Sequence, residues 1–310
     1  MPDQLLREQQ EWIAVVRNPI SGKKSGKNEI RTLVQSLQAR GFHVRLFSKR
    51  DKISAELARE HVRGNLRCLV IAGGDGSIND ALNRYPAVPL AVLPTGTENL
   101  FAKYVGIGRS GAGLAEVIAD NHRLDFDVPL ANGRKFLLMA SCGIDADIVQ
   151  RTDARRTGNI TKFSYVQPIL ESIRKYQYPE FRVFVDDEPE PLVGRFLIVS
   201  NCPAYALQMP FATKASPFDG ILDVRLFEKG SSLSTIRYAM SVAMKQHEKL
   251  SDVTCLRGRN IRIKAEKTVP VQLDGDPFGF TPLNLELTTD KATFFVPRNY
   301  YQQNQPGSSK

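Results

Sequence analysis

Residues 69–80 read LVIAGGDGSIND, and this segment restricts the fold more than any other. Four apolar residues, Leu69 to Ala72, stop at Gly73, Gly74, Asp75 and Gly76, and a helical pattern begins at Ser77. An apolar run bounded by glycines is the pattern of a buried strand. Glycines tolerate positive φ and let bare backbone approach a ligand. Ser77 is placed to cap the helix, whose first N–H groups lack intrahelical partners. Strand, glycine turn and helix start together form an anion cradle, most often for phosphate. Taken alone, a glycine cluster is more often an ordinary turn, so the rest of the chain has to decide.

Two further loops have the same setting. Residues 12–18 form an opening strand pattern, followed by Asn18, Pro19, Ile20, Ser21 and Gly22. The GKKSGK that follows is not a P-loop: three residues rather than four separate Gly22 from Gly26, and Asn28 stands where Ser or Thr would hold magnesium. Residues 89–93 are a strand ending in Pro94, Thr95, Gly96, Thr97, Glu98 and Asn99. Helical patterns are expected over 28–40, 53–63, 78–84, from near Asn99, and over 111–120, with another strand at 43–47. Alternating strands and helices predict a parallel-sheet α/β domain over residues 1–124. Ligands of such sheets bind at the carboxyl ends of strands, which would bring all three loops to one edge.

The pattern changes after Leu124. Strand-like runs over 125–149 meet at Asn132-Gly133, a strong hairpin signal. A basic helical stretch over 150–176 carries Arg151, Arg155, Arg156 and Lys162, for which a solvated face is the plainer reading than anion binding. Many short strands then follow, interrupted by one helix over about 232–250. They predict a β-sandwich-like or barrel domain over 125–291. Residues 304–310 are expected to be a disordered tail.

Composition excludes little but narrows the class. The chain has 310 residues, long enough for two domains or one large one, and is 42% hydrophobic and 24% charged, ordinary values for a soluble globular protein. No run approaches a membrane span, and the polar N-terminus is not a signal peptide. Cys68, Cys142, Cys202 and Cys255 lack metal-ligand spacing and are expected to be buried apolar residues in a reducing compartment. His43, His61, His122 and His247 accompany no Ser or Cys nucleophile pattern, and Trp12 is expected to pack. A net charge of +9 suits phosphate ligands, an anionic membrane or nucleic acid without choosing among them.

Five motifs in order resemble the diacylglycerol kinase-like lipid kinases over about residues 12–298, particularly the bacterial members related to sphingosine kinases and, more distantly, NAD kinases. They are Asn18-Pro19-x-Ser21-Gly22, Gly73-Gly74-Asp75-Gly76-Ser77-x-Asn79, Pro94-x-Gly96-Thr97-x-Asn99, residues 216–224 and Asp274-Gly275-Asp276. The resemblance implies an α/β nucleotide-binding domain, a β-rich substrate domain, and a last segment, about 292–303, returning to the first domain. It implies ATP in the cleft between them and transfer of its γ-phosphoryl to a lipid hydroxyl. The nucleotide would meet Asn18, Pro19, Ser21, Gly22, Ser48, Gly73, Gly74, Asp75, Gly76, Ser77, Asn79 and Thr97. A structural magnesium would be held by the Asp219 side chain and the backbone carbonyls of Ser216 and Ile221. Asp274 and Asp276 would carry the chemistry, one as proton acceptor and one positioning magnesium. Which is the base stays open, and Asp75 competes by analogy with NAD kinases. By residue pattern alone, Asp274-Gly275 is a hairpin turn.

Several positions depart from the family pattern. Ser77 replaces the usual Thr, Leu100 replaces an Asp found in many members, Asp276 is one methylene shorter than Glu, and Tyr205-Ala206-Leu207 lacks the glycines that often follow the Tyr. The expectation is an ATP-dependent lipid kinase, cytoplasmic and peripheral at the inner membrane face, with a diacylglycerol, sphingoid base or other lipid alcohol as acceptor. Nucleic acid is not an expected partner, and a homodimer is left open. The alternatives are a kinase of a soluble hydroxyl compound and a nucleotide- or lipid-binding protein without turnover. The helix face with Ile236, Met240, Val242 and Met244 could admit an acyl chain, with core packing the plainer reading.

Overall fold

The computed structural model describes residues 11–17, 24–47, 53, 57, 64–155, 166–203 and 211–305. The chain divides into two compact units, Met1–Phe126 with Lys291–Lys310, and Asp127–Asp290.

In the first unit, β1 (Trp12–Arg17) leads into α1 (Lys24–Ala39) and β2 (His43–Phe47). Next come β3 (Leu66–Gly73), α2 (Asp75–Arg84), β4 (Leu90–Pro94), α3 (Leu100–Tyr104), α4 (Gly111–Asp120) and β5 (Arg123–Asp127). The helix expected over 53–63 lies largely outside the described residues. The second unit holds β6 (Leu130–Ala131), β7 (Arg134–Lys135), β8 (Met139–Cys142), α5 (Ile144–Ala154), α6 (Val166–Lys175), β9 (Phe181–Val185), β10 (Leu192–Gly194), β11 (Phe196–Ser200) and β12 (Leu222–Phe227). It continues through α7 (Ser232–Ala243), β13 (Val253–Gly258), β14 (Asn260–Ala265), β15 (Pro270–Leu273), β16 (Asp276–Phe280) and β17 (Leu283–Glu286). The chain then re-enters the first unit as β18 (Lys291–Phe295) and α8 (Arg298–Asn304).

The first unit's sheet has the order β2-β1-β3-β4-β18-β5, with parallel pairing from β2 through β18. β1 and β3 are almost wholly buried, which explains the apolar runs Trp12–Val16 and Cys68–Ala72; the buried Arg67 in β3 donates to the Ile118 carbonyl at 2.9 Å. β18 is anchored by aromatic packing: Phe294 lies 4.5 Å from Phe101 and 5.3 Å from Phe126, ring centre to ring centre. Such contacts add about 0.5–1.5 kcal/mol each beyond area burial. The second unit has two antiparallel six-stranded sheets, β10-β9-β14-β17-β6-β7 and β13-β12-β11-β8-β15-β16. One core cluster draws Phe181, Ile261 and Leu285 from the first and Cys142, Val199, Val224 and Val271 from the second. The fold is therefore α/β plus a β-sandwich-like region, as the sequence pattern implies.

Several boundaries differ from the sequence reading. α1 starts at Lys24 rather than Asn28, taking part of the GKKSGK segment into the helix. Residues 144–149 continue no strand; they open α5. Gly143 breaks β8 with φ 116°, and Asp145 and Asp147 favour a helix N-terminus in the next turn. α7 stops at Ala243, and a short 3₁₀ turn, His247–Lys249, follows. α8 orders the chain through Asn304, whose Nδ2 donates to the Tyr300 carbonyl at 2.9 Å; residues 306–310 lie outside the described residues. Cys68, Cys142 and Cys202 are buried, but Cys255 faces outward on the edge strand β13. Trp12 and His247 are buried packing residues, with His247 Nε2 2.8 Å from the Phe211 carbonyl.

Candidate active site

The first unit's sheet reverses its winding beside β1. β2 pairs on one side of β1, and β3 on the other, followed by β4. A ligand crevice in such a sheet lies outside the carboxyl ends of the strands at that reversal. The strand ends are level there: Arg17 pairs with Ala72, and Gly73 with Pro94. The loop after β3 and the loop after β4 therefore start from one edge. Asn18, Pro19, Ser21, Gly22 and Ser48 lie outside the described residues.

The two described loops are built against each other. A Cβ on Gly96 would lie 2.7 Å from Gly74 Cα and 2.9 Å from Asn99 Oδ1, so side chains are excluded at this contact. Neither Gly73, Gly74 nor Gly76 has a positive φ; the glycines serve close backbone approach here, not left-handed geometry. Asn99 closes its own loop, accepting from Gly96 N at 2.9 Å and donating to Gly96 O at 2.8 Å. Arg109 Nη2 also donates to Gly96 O at 2.9 Å.

α2 begins at Asp75, with Gly74 at its cap position, so Ser77 is not the cap. Ser77 N and Ile78 N turn back to Gly74 O at 2.9 and 3.2 Å. The first N–H groups of α2 have no partner in the helix ladder, a setting that favours an anion, although the Asp75 N–H is engaged by its own carboxylate. Asp75 is committed elsewhere: its carboxylate accepts from Leu100 N at 2.9 Å and Phe101 N at 3.0 Å. Burial pushes the Asp75 carboxyl above its usual value, and these two N–H groups pull against the shift. Asp75 thus ties the start of α2 to the start of α3, which weakens its case as a base. Leu100 is buried, and its N–H rather than its side chain joins the two loops.

Asn79 is buried in α2, where its Oδ1 accepts from Asn83 at 3.2 Å; Thr97 is exposed on its loop. Sequence reasoning overlooked Thr95. Its hydroxyl is buried and meets no hydrogen-bond partner among the described residues.

In the second unit, Asp274 and Gly275 form the two-residue turn between β15 and β16, with φ of 51° and 85°. Two positive φ angles define a type I′ hairpin. Asp274 is buried and its carboxylate is heavily used. Oδ2 accepts from Leu137 N at 2.8 Å, and Oδ1 from Leu138 N at 2.7 Å and Met139 N at 3.0 Å. Asp274 N donates back to Met139 O at 2.9 Å. A residue the motif did not include, Gln272, secures the other half of the turn. Its Oε1 accepts from Gly275 N at 2.8 Å, and its Nε2 donates to Ser141 Oγ at 3.0 Å and Asp145 Oδ2 at 3.1 Å. Asp276 follows as the half-buried first residue of β16. The turn is held by Asp274 and Gln272 so that Asp276 leaves it in a set direction.

The 216–221 turn is organised by Asp127, which is buried. Asp127 N donates to Pro217 O at 2.8 Å, and its Oδ2 accepts from Gly220 N at 2.9 Å. Asp219 Oδ1 accepts from Ile221 N at 3.3 Å, and Oδ2 pairs with Arg257. Desolvation raises the Asp219 carboxyl, with Arg257 opposing. Among the described residues no three His, Cys, Asp or Glu side chains cluster as a metal site. Any cation here would rest on one carboxylate and backbone carbonyls, hard oxygen donors of the kind magnesium takes. The donor chemistry fits, with one competitor. Arg257 is half exposed and is shared between Asp219 and the buried Asp223, whose Oδ2 lies 3.5 Å from its Nε, so a cation at Asp219 would compete with one arm of that bridge. Were magnesium to bind this turn, millimolar magnesium would raise the melting temperature, and Arg257→Ala would be expected to enlarge that rise. Equal magnesium shifts in both proteins would show that Arg257 does not compete.

Comparison with known proteins agrees with this architecture. Residues 13–131 match the diacylglycerol kinase catalytic domain, and residues 139–295 match the YegS C-terminal NAD kinase beta sandwich-like domain. The chain belongs to the diacylglycerol kinase-like lipid kinase family. It is 25% identical over 288 residues to a diacylglycerol kinase of Staphylococcus aureus, covering 89% of this chain and 90% of the relative. A diacylglycerol kinase of Staphylococcus epidermidis is 22% identical over 298 residues, with 93% of each covered. A crystal structure of a protein described as a putative diacylglycerol kinase, from Bacillus anthracis, superposes with a TM-score of 0.73 at 20% identity. It covers 94% of this chain and 98% of that one, and the likeness is one of fold.

Proposed function

We propose that the protein is an ATP-dependent lipid kinase. It transfers the γ-phosphoryl group of magnesium-bound ATP to the hydroxyl of a lipid alcohol such as a diacylglycerol or sphingoid base, working peripherally at the cytoplasmic membrane face. The observation that carries the nucleotide half is the pair of locked loops after β3 and β4, at the winding reversal of a parallel sheet. Gly73, Gly74, Gly76 and Ser77 would offer backbone and hydroxyl donors to phosphate oxygens, with Thr97, and Thr95 Oγ1 as a further donor. Asn18, Pro19, Ser21, Gly22 and Ser48 complete the proposed contacts.

The resemblance to the family points to Asp274-Gly275-Asp276 for the base. Asp274 has both oxygens occupied by backbone N–H groups, whereas Asp276 follows the turn those bonds hold in place. In this reading Asp276 takes the acceptor proton as the acceptor oxygen bonds to the γ-phosphorus. The bond from that phosphorus to the bridging oxygen breaks, and ADP leaves. Magnesium bound to the nucleotide would supply charge neutralisation at the phosphates. At Ser216, Asp219 and Ile221 a resident magnesium would neutralise Asp219 and stiffen the turn.

The test is incubation of the purified protein with γ-labelled ATP, magnesium, lipid extracts and soluble hydroxyl compounds. Label extracted into an organic-phase product is the expected result. Label in a soluble product would establish the alternative acceptor class, and nucleotide binding without transfer would point to a binding protein.

A further inference from the structure

α7 is an amphipathic helix worn the wrong way round for a simple core element. Tyr238, Ser241 and Val242 are buried, while Leu233, Ile236, Met240 and Met244 are 79%, 46%, 58% and 60% exposed. Their spacing of three, four and four residues places them on one outer stripe. Of the acyl-chain residues expected from sequence, only Val242 turns into the core. The exposure does not come from a frayed helix. Ser231 and Ser234 form a reciprocal cap: Ser234 N donates to Ser231 Oγ at 3.1 Å and Ser231 N to Ser234 Oγ at 2.8 Å. The inner face is pinned as well, because Tyr238 donates from its hydroxyl to Asp252 Oδ2 at 2.9 Å and accepts from Lys229 N at 3.2 Å.

Basic residues stand at both ends of the stripe. Ser232 Oγ donates to the Ile173 carbonyl at 2.5 Å, which fixes the start of α7 beside the end of α6. Exposed Arg174 and Lys175 follow at once, and Leu170 on α6 is another large exposed apolar side chain, 56% exposed. Exposed Lys245 and Lys249 lie past the other end. Glu248 between them is tied to Arg225 at 2.6 Å, so it does not cancel their charge outward. A rigid helix with an apolar stripe flanked by Lys and Arg has the make-up of a segment that lies in a membrane interface, and juxtaposed basic residues favour anionic head groups.

We propose that α7 is the membrane-docking element. Leu233, Ile236, Met240 and Met244 enter the acyl boundary of an anionic bilayer, and Arg174, Lys175, Lys245 and Lys249 meet its phosphates. The inference rests on the reading of the acceptor as a lipid, and names the surface by which the enzyme reaches it.

The full chain is tested by co-sedimentation with phosphatidylcholine vesicles, with and without phosphatidylglycerol. Three results are expected. The wild type binds the anionic vesicles and releases as salt rises. Leu233→Glu/Met240→Glu binds at least about 10-fold more weakly. Lys245→Gln/Lys249→Gln loses roughly 10-fold on anionic vesicles while its weak binding to neutral ones is unchanged. Circular dichroism melts of the variants should match the wild type, because all four positions are exposed. Vesicle binding unchanged in Leu233→Glu/Met240→Glu overturns the proposal. So does a sedimentation-velocity dimer that the same variant dissociates, since a second copy would then cover the stripe. Lipid phosphorylation in detergent micelles without vesicle binding would sink the docking surface and leave the kinase reading intact. Vesicle binding through α7 with no lipid phosphorylated would do the reverse.

Discussion

Asp276→Asn is expected to lower phosphoryl transfer by about 10²–10⁴-fold, the usual contribution of a general base, while nucleotide affinity stays near that of the wild type. The expectation follows from where the two carboxylates of the motif stand. Asp274 spends both oxygens on three backbone N–H groups. Asp276 starts the next strand, directly after the turn those bonds hold. The substituted amide would keep the size of the side chain and its hydrogen-bonding reach but would not take a proton at neutral pH. The check is a pair of measurements on one preparation: turnover of the acceptor, and nucleotide affinity by calorimetry. Wild-type turnover in this variant would remove Asp276 from the chemistry.

The second large effect is on folding. Asp274→Asn replaces a carboxylate that accepts from Leu137, Leu138 and Met139 with an amide having one acceptor oxygen. The amide NH₂ would face backbone N–H groups in a buried place. Hydrogen bonds to a charged group are worth about 1.5–3 kcal/mol each, so a loss of roughly 2–4 kcal/mol is expected after partial relaxation. For a unit of this size that is a fall in melting temperature of roughly 5–12 °C. Thermal unfolding of the variant beside the wild type reads it. A variant as stable as the wild type yet without turnover would mean that Asp274 is a chemical residue rather than the clamp of the turn.

The two effects separate what a single motif runs together. Asp274-Gly275-Asp276 drew attention as a candidate site because of its place after four other motifs, and it was legible as a turn because Asp-Gly favours paired positive φ angles. Asn132-Gly133 was legible for the same reason, with φ of 47° and 83°. The buried strands β1 and β3 were visible through the apolar runs Trp12–Val16 and Leu69–Ala72. Local pattern could not show which oxygen goes to which N–H, because those partners lie far along the chain. Asp75 reaches residues 100 and 101, Asp274 reaches residues 137–139, and Gln272 reaches Ser141 and Asp145.

Local pattern also misled in places. Ser77 resembled a cap, yet the helix starts at Asp75: Gly74 holds the cap position, and Ser77 N and Ile78 N already turn back to its carbonyl. Residues 144–149 resembled a strand because Ile and Val alternate with polar residues there. The left-handed break at Gly143 and the acidic first turn decide for helix. The outward stripe of α7 was hidden for a different reason. A helical spacing of apolar residues shows that a face exists, and only packing shows whether the protein or something outside it covers that face.

The central claim is transfer of the γ-phosphoryl group to a lipid hydroxyl, and the most direct measurement follows the oxygen atoms. ATP carrying heavy oxygen at the three terminal positions of its γ-phosphate is incubated with the enzyme, magnesium and lipid acceptors, and the lipid product is weighed by mass spectrometry. The account predicts a phosphorylated lipid that keeps all three heavy oxygens, since the acceptor's own oxygen forms the new bond to phosphorus. Heavy oxygen found only in inorganic phosphate, or in a phosphorylated soluble compound with every lipid unchanged, would contradict it.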